Sequence, residues 1–194
     1  MPGRLVGVTM WRWLRFILVE PIEPGRGASR VPTMNDTWQV GGLPLHPLLV
    51  HALLVLLPLA VLAVALAHVW PAARRRLGAV TPLAALAVLV LVPITQYAGE
   101  QLLLVVGPIP AAQTHAEYAR MLLPWAAALF VVAVAQWVWF RTYAERVGEA
   151  RPRVKRLVWW GLGAVVAAVG GGSLVMIVLI GDSGARAVWG GLLG

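Results

Sequence analysis

Five titratable residues near the ends of long apolar stretches carry the chemistry this chain could do: His46, His51, Glu100, His115 and Asp182. Imidazole titrates near neutral pH and coordinates divalent metals, where carboxylates often join it. Imidazole also holds haem iron, and His or Glu within a membrane relays protons. His46 and His51 lie in His46-Pro47-Leu48-Leu49-Val50-His51, at the threshold of an apolar run that continues to Trp70. Five residues apart on a regular helix, they are turned about 140° from each other and do not share a face unless His46 is the cap. Pro47 favours that cap, because proline is comfortable at the first helical position. The fourth histidine, His68, lies at the other end of the run beside Trp70 and the arginines, and reads as interfacial. There is no His-Glu-x-x-His helix, no glycine-rich phosphate loop and no nucleophile elbow, so no catalytic residue is assigned.

These residues must be positioned by four apolar runs: Pro47 to Trp70, Leu77 to Ala98, Met121 to Phe140 and Leu157 to Ile180. About 20 residues rising 1.5 Å each cross a hydrocarbon core roughly 30 Å thick. None of the runs alternates polar with apolar residues as a barrel strand must. The predicted fold is all-α, an integral membrane bundle of four transmembrane helices over residues 41–194. Its helices cover about 47–70, 77–98, 111–140 including an outer extension, and 157–180. Composition agrees: 60% of residues are apolar and 12% charged, against about a quarter charged in soluble proteins, and the mean hydropathy is +0.79. The absence of cysteine excludes disulfides, thiolate metal sites, iron–sulfur clusters and thiol nucleophiles.

The net charge of +8 is distributed as a topology signal. Arg74, Arg75 and Arg76 follow the first helix, and Arg141, Arg146, Arg151, Arg153, Lys155 and Arg156 fill the link between the third and fourth. The opposite side carries only Arg120 and Arg186 once the N-terminal tail is set aside. The positive-inside rule then places both basic links in the cytoplasm and both ends of the bundle outside. The arginines suit anionic lipid better than nucleic acid. Within residues 1–40, a disordered or non-native extension followed by a short outer segment, the first 33 residues fit this picture badly, since Arg4, Arg12, Arg15, Arg26 and Arg30 would lie outside. The apolar stretch Trp13 to Val19 is too short for a span or a signal peptide, and Pro21, Pro24, Gly25, Gly27 and Pro32 read as a disordered linker. The segment is either an amphipathic surface piece or, as we prefer, a non-native extension upstream of a start at Met34.

A ruler of 1.5 Å per residue from the basic end of each helix places His51 about 34 Å away, Glu100 about 36 Å, His115 and Asp182 about 39 Å, and His46 about 42 Å. All five thus fall in one layer at the outer headgroup boundary. A plainer reading holds that helix ends are simply polar: Glu100 marks where the second helix enters water, and Gly181-Asp182 a C-terminal turn. On the fourth helix Gly161, Gly163, Ala164, Ala168, Gly171, Gly172 and Ser173 offer small residues for close packing, which points to a central position. Trp137, Trp139, Trp159 and Trp160 read as one aromatic belt, Trp38 and Trp189 as the other.

The stretch Gly42-Leu43-Pro44-Leu45-His46-Pro47-Leu48-Leu49-Val50-His51-Ala52 resembles the start of the bacterial membrane-protein family catalogued as domain of unknown function 2231. Ala73-Arg74-Arg75-Arg76-Leu77-Gly78, Thr81-Pro82-Leu83, the Ala98-Gly99-Glu100 turn, His115, and Gly181-Asp182-Ser183-Gly184-Ala185-Arg186-Ala187-Val188-Trp189 are similar to its actinobacterial branch. The resemblance runs from about Gly41 to the last residue. It implies four helices behind a short outer segment in a bacterial plasma membrane, which suits a start at Met34, and it implies no established activity. That family carries histidine where this chain has Asp182. Such an exchange suits a divalent metal or proton-handling group better than a b-type haem, although His51 and His115 remain available as two axial ligands.

Three functional readings follow. The leading one is a metal- or haem-binding subunit, redox-associated and working beside a respiratory partner. Its metal would be held by His51, His115, Glu100 and Asp182, or its haem by His51, His115 and His46. The second is a structural or assembly protein without a cofactor, and the third a small proton-coupled transporter or channel. The lipid bilayer is the partner in all three; a homo-oligomer is compatible with each, and nucleic acid with none.

Overall fold

The computed structural model describes residues 39–40, 43–107 and 109–190. The expectations for residues 1–38, including Met34 and Trp38, lie outside the described residues. A two-residue antiparallel pair, β1 (Gln39–Val40) with β2 (Leu43–Pro44), precedes the first helix. The helices follow as α1 (Leu45–Val69), the short α2 (Pro71–Leu77), α3 (Val80–Val106), α4 (Pro110–Val138), α5 (Ala144–Ala150) and α6 (Pro152–Trp189). A single π-helical turn, Trp139–Tyr143, joins α4 to α5 without a break. Four segments are long and apolar enough to cross a membrane: Leu45–Val69, Val80–Val106, Pro110–Ala150 and Pro152–Trp189. The protein is therefore an all-α bundle built for multi-pass insertion.

Proline sets the boundaries. Trp70 and Ile109 are extended and Arg151 is likewise non-helical, and each precedes a proline that opens the next helix. The pyrrolidine ring disfavours helical geometry in the residue before it, and its missing N–H is harmless in a first turn. Gly78 and Gly107 close α2 and α3 with positive φ of 46° and 86°, a region that disfavours any residue with a Cβ. Pro58, Pro93 and Pro124 instead sit inside α1, α3 and α4, which run through them. Neighbouring helices and local adjustment make interior proline tolerable in spans.

Several boundaries differ from those read in the sequence. α1 starts at Leu45 with Pro44 as its N-cap, so His46 lies in the first turn and is not the cap. Ala98-Gly99-Glu100 is not a turn, since α3 continues to Val106. Gly181-Asp182 does not end the fourth span, since α6 continues to Trp189. Apolarity marks how much of a helix suits lipid, not where its backbone hydrogen bonding stops. At 1.5 Å per residue the 38 residues of α6 extend about 57 Å, well past a core of roughly 30 Å.

The four long helices form a ring in which α1 packs on α3, α3 on α4, α4 on α6, and α6 closes on α1. The fourth span is thus a corner of the bundle, not its centre, and its broadest contact is with α4. Leu57, Val64, Val88, Val92, Ala126 and Leu129 fill the interior. The outward faces are equally apolar, with Val55, Val131 and Val178 exposed. A helix apolar on every side suits a lipid environment. Antiparallel packing places the basic segments Arg74–Arg76 and Arg141–Arg156 at one end. The starts of α1 and α4 and the ends of α3 and α6 lie at the other.

Candidate ligand site at the histidine end

The first turn of α1 directs His46 inward against α3, where its Nδ1 lies 3.0 Å from the carbonyl oxygen of Thr95. A carbonyl can only accept, so Nδ1 carries a proton, and in the neutral form of the ring the lone pair is on Nε2. His115, in the second turn of α4, makes the matching arrangement with α6: its Nδ1 donates to Ile180 O at 3.0 Å and to Ser183 Oγ at 3.2 Å. Ser183 in turn donates to Ile180 O at 3.0 Å. The two rings meet edge to face with centroids 6.2 Å apart. Both line a cavity of about 30 Å³ whose remaining walls include Leu53, Val92, Gln96 and Ile177. Gln96 is held by donating to Ala119 O at 2.6 Å.

Glycine makes this approach possible. A Cβ on Gly99 would lie 2.8 Å from Cε1 and 2.9 Å from Nδ1 of His46, and one on Gly184 would lie 3.2 Å from Cε1 of His115. Each ring therefore rests on the bare backbone of the helix that accepts its hydrogen bond. The sequence reading took Gly99 and Gly184 as parts of a turn and a terminal segment and missed this role. The available signal is the polar neighbour of each, Glu100 or Ser183.

The other candidates are not brought to this pair. His51 is exposed, and its Nδ1 is engaged by Pro47 O of its own helix at 2.6 Å. It faces away from His46, as their angular offset requires. Glu100 is half exposed and lies 3.9 Å from Arg120. Asp182 is also exposed and accepts from Arg186 at 2.9 Å, one turn away. The four helices thus contribute to one layer, but the two carboxylates face outward while His46 and His115 face inward. Among the described residues no group of three or more His, Asp or Glu is arranged to hold a metal ion. The His51, His115, Glu100 and Asp182 set is therefore not assembled. The cavity has an apolar accessible wall and a volume of about 30 Å³, the scale of a single ion or water molecule. A porphyrin does not fit there, so His46 with His115 does not frame a haem, and His51, which does not line the cavity, is not brought to His115.

Mid-membrane polar side chains are committed to backbone carbonyls: Thr95 to Leu91, Ser173 to Val169 and Gln136 to Val64. Thr95 and Ser173 bond within their own helices, and Gln136 alone of the three ties one helix to another, α4 to α1; these commitments leave no polar path of the kind a proton-coupled transporter needs. His68 is buried, not interfacial, between Phe140 and Trp159, with Gly163 against its Nε2. No family model, no curated protein and no solved structure matches this chain.

Proposed function

We propose that this chain is a multi-pass membrane protein of the binding class, whose His46–His115 pair holds one divalent transition-metal ion. The observation that carries this reading is the pair of fixed tautomers. Each Nδ1–H is spent on a backbone carbonyl of a different helix, and both rings border one ion-sized cavity. Orienting a ligating imidazole through its other nitrogen is the usual support of a metal-binding histidine. Imidazole suits zinc, copper, iron or nickel. Two protein ligands leave the remaining coordination positions to water or to a group from a partner, for which a respiratory membrane subunit is the candidate. The basic end faces the cytoplasm and the histidine end faces outward, with both termini, by the positive-inside rule. A bacterial plasma membrane and kinship with the domain of unknown function 2231 are part of the same reading.

A structural role is the second reading, favoured by the same hydrogen bonds, because each ties two helices. Elemental analysis separates the two. Protein purified in detergent, supplemented with zinc and desalted, is expected to retain one equivalent, and the His46→Ala and His115→Ala variants none. Metal-free wild-type protein after supplementation refutes the binding reading and leaves the histidines as helix clamps.

A further inference from the structure

The basic end contains a larger cavity, about 420 Å³, lined among others by Arg74, Arg75, Thr81, Gln136, Phe140 and Arg141. Its size falls within the roughly 300–1,000 Å³ of small-molecule sites. Three guanidinium groups border it without a carboxylate: the ion pairs among the described residues are Arg120–Glu100 and Arg186–Asp182, both at the opposite end. Arg74 is held in place. Its Nε donates to Ala67 O at 2.6 Å, its Nη2 donates to His68 O, and its guanidinium lies 3.4 Å from the Phe140 ring centroid. Burial pushes its pKa below the usual arginine range, the mark of a half-buried cation that lacks an anion. Arg141 lies over Trp137, which also borders the cavity.

Gln136 adds a second, independent demand. The side chain is only 3% exposed, its Nε2 donates to Val64 O at 3.0 Å, and its Oε1 has no hydrogen-bond partner. A buried acceptor left unpaired carries a desolvation cost that a donor from a ligand would remove. Among its lining residues the cavity thus has three cations without an anion and one buried acceptor without a donor, which a hydroxyl or an amine would supply. An amine would bring positive charge among the arginines, so the donor is a hydroxyl.

We propose that this cavity binds a phosphate ester bearing a free hydroxyl, whose phosphate oxygens accept from Arg74, Arg75 and Arg141 while the hydroxyl donates to Gln136 Oε1. Charge-assisted, forked recognition of this kind is what guanidinium groups do best with phosphate. The same chemistry is offered by a glycerophospholipid headgroup or by a soluble polyol phosphate.

Native mass spectrometry of the full chain, stripped of lipid in detergent, tests this by titration with phosphatidylglycerol, with phosphatidylmethanol, which has the charge but no hydroxyl, and with phosphatidylcholine. Phosphatidylglycerol is expected to bind most tightly. Arg75→Gln and Arg141→Gln should each weaken it about tenfold, while Arg153→Gln, which removes a charge from the first turn of α6 outside the cavity, leaves it unchanged. Gln136→Leu should lower phosphatidylglycerol to the level of phosphatidylmethanol and leave phosphatidylmethanol where it was. Competition by glycerol 3-phosphate assigns the cavity to soluble esters, and failure to compete assigns it to the lipid headgroup; both support the site. Equal affinity for phosphatidylcholine, or an effect of Arg153→Gln as large as that of Arg141→Gln, overturns it in favour of diffuse surface charge. An unchanged preference over phosphatidylmethanol in Gln136→Leu overturns the hydroxyl assignment.

Discussion

The imidazoles of His46 and His115 stand edge to face, 6.2 Å between centroids and 78° between planes, although each is hydrogen-bonded to a different helix. The pair joins two helix–helix seams, α1 with α3 and α4 with α6, at one point. A small change beneath either ring is therefore read out both in stability and in whatever the pair binds.

Gly99→Ala places a methyl group 2.8 Å from His46 Cε1, so the ring must move and its bond to Thr95 O is strained or lost. A loss of about 1–3 kcal/mol is expected, as for other overpacked interiors. Gly184→Ala meets His115 at 3.2 Å, where a shift of a few tenths of an ångström suffices, and its loss is expected to stay under about 1 kcal/mol. Thermal unfolding in detergent ranks the two; equal melting temperatures would contradict the contact geometry.

The carboxylates of Glu100 and Asp182 are predicted to be bystanders. Both are exposed and paired with arginine, and exposed ion pairs contribute about 0–1 kcal/mol. Glu100→Gln and Asp182→Asn should leave metal stoichiometry unchanged and stability nearly so. Loss of metal in either variant would show that the carboxylate turns inward when an ion binds.

The height of the outer layer was legible in the sequence because it depends only on a fixed rise per residue and on where the basic residues lie. Its azimuth was not. The spans are apolar on both their buried and their exposed faces, as Leu57 inside and Leu59 outside illustrate, so no stripe tells inward from outward. Height alone therefore does not tell that His46, and not His51, meets His115. Helix ends were similarly hidden, since Gly99-Glu100 and Gly181-Asp182 carry turn-like residues yet lie within continuous helix.

The adjacent glycines of α6 provide an internal control on packing. A Cβ on Gly172 would fall 2.0 Å from the Trp125 ring, whereas one on Gly171 meets nothing within 4 Å. Gly172→Ala should lower the melting temperature markedly, and Gly171→Ala should hold or raise it, because alanine favours helix by about 1 kcal/mol over glycine. The opposite ranking would contradict the rotational setting of α6 against α4.

Orientation is open to direct labelling because the chain has no cysteine. Val188→Cys at the end of α6 and Tyr143→Cys at the basic end both alter exposed positions. A membrane-impermeant maleimide applied to intact cells should label the first variant, and the second only after permeabilisation. The reverse pattern would place the histidine end in the cytoplasm.

The central claim is that His46 and His115 together hold one metal ion, and a cobalt(II) titration followed by visible absorption tests it most directly. Wild-type protein and His51→Ala should both saturate at one equivalent with the ligand-field bands of a nitrogen-coordinated ion, while His46→Ala and His115→Ala give no saturable signal. Saturation that survives both of those substitutions, or that disappears in His51→Ala alone, would contradict the account.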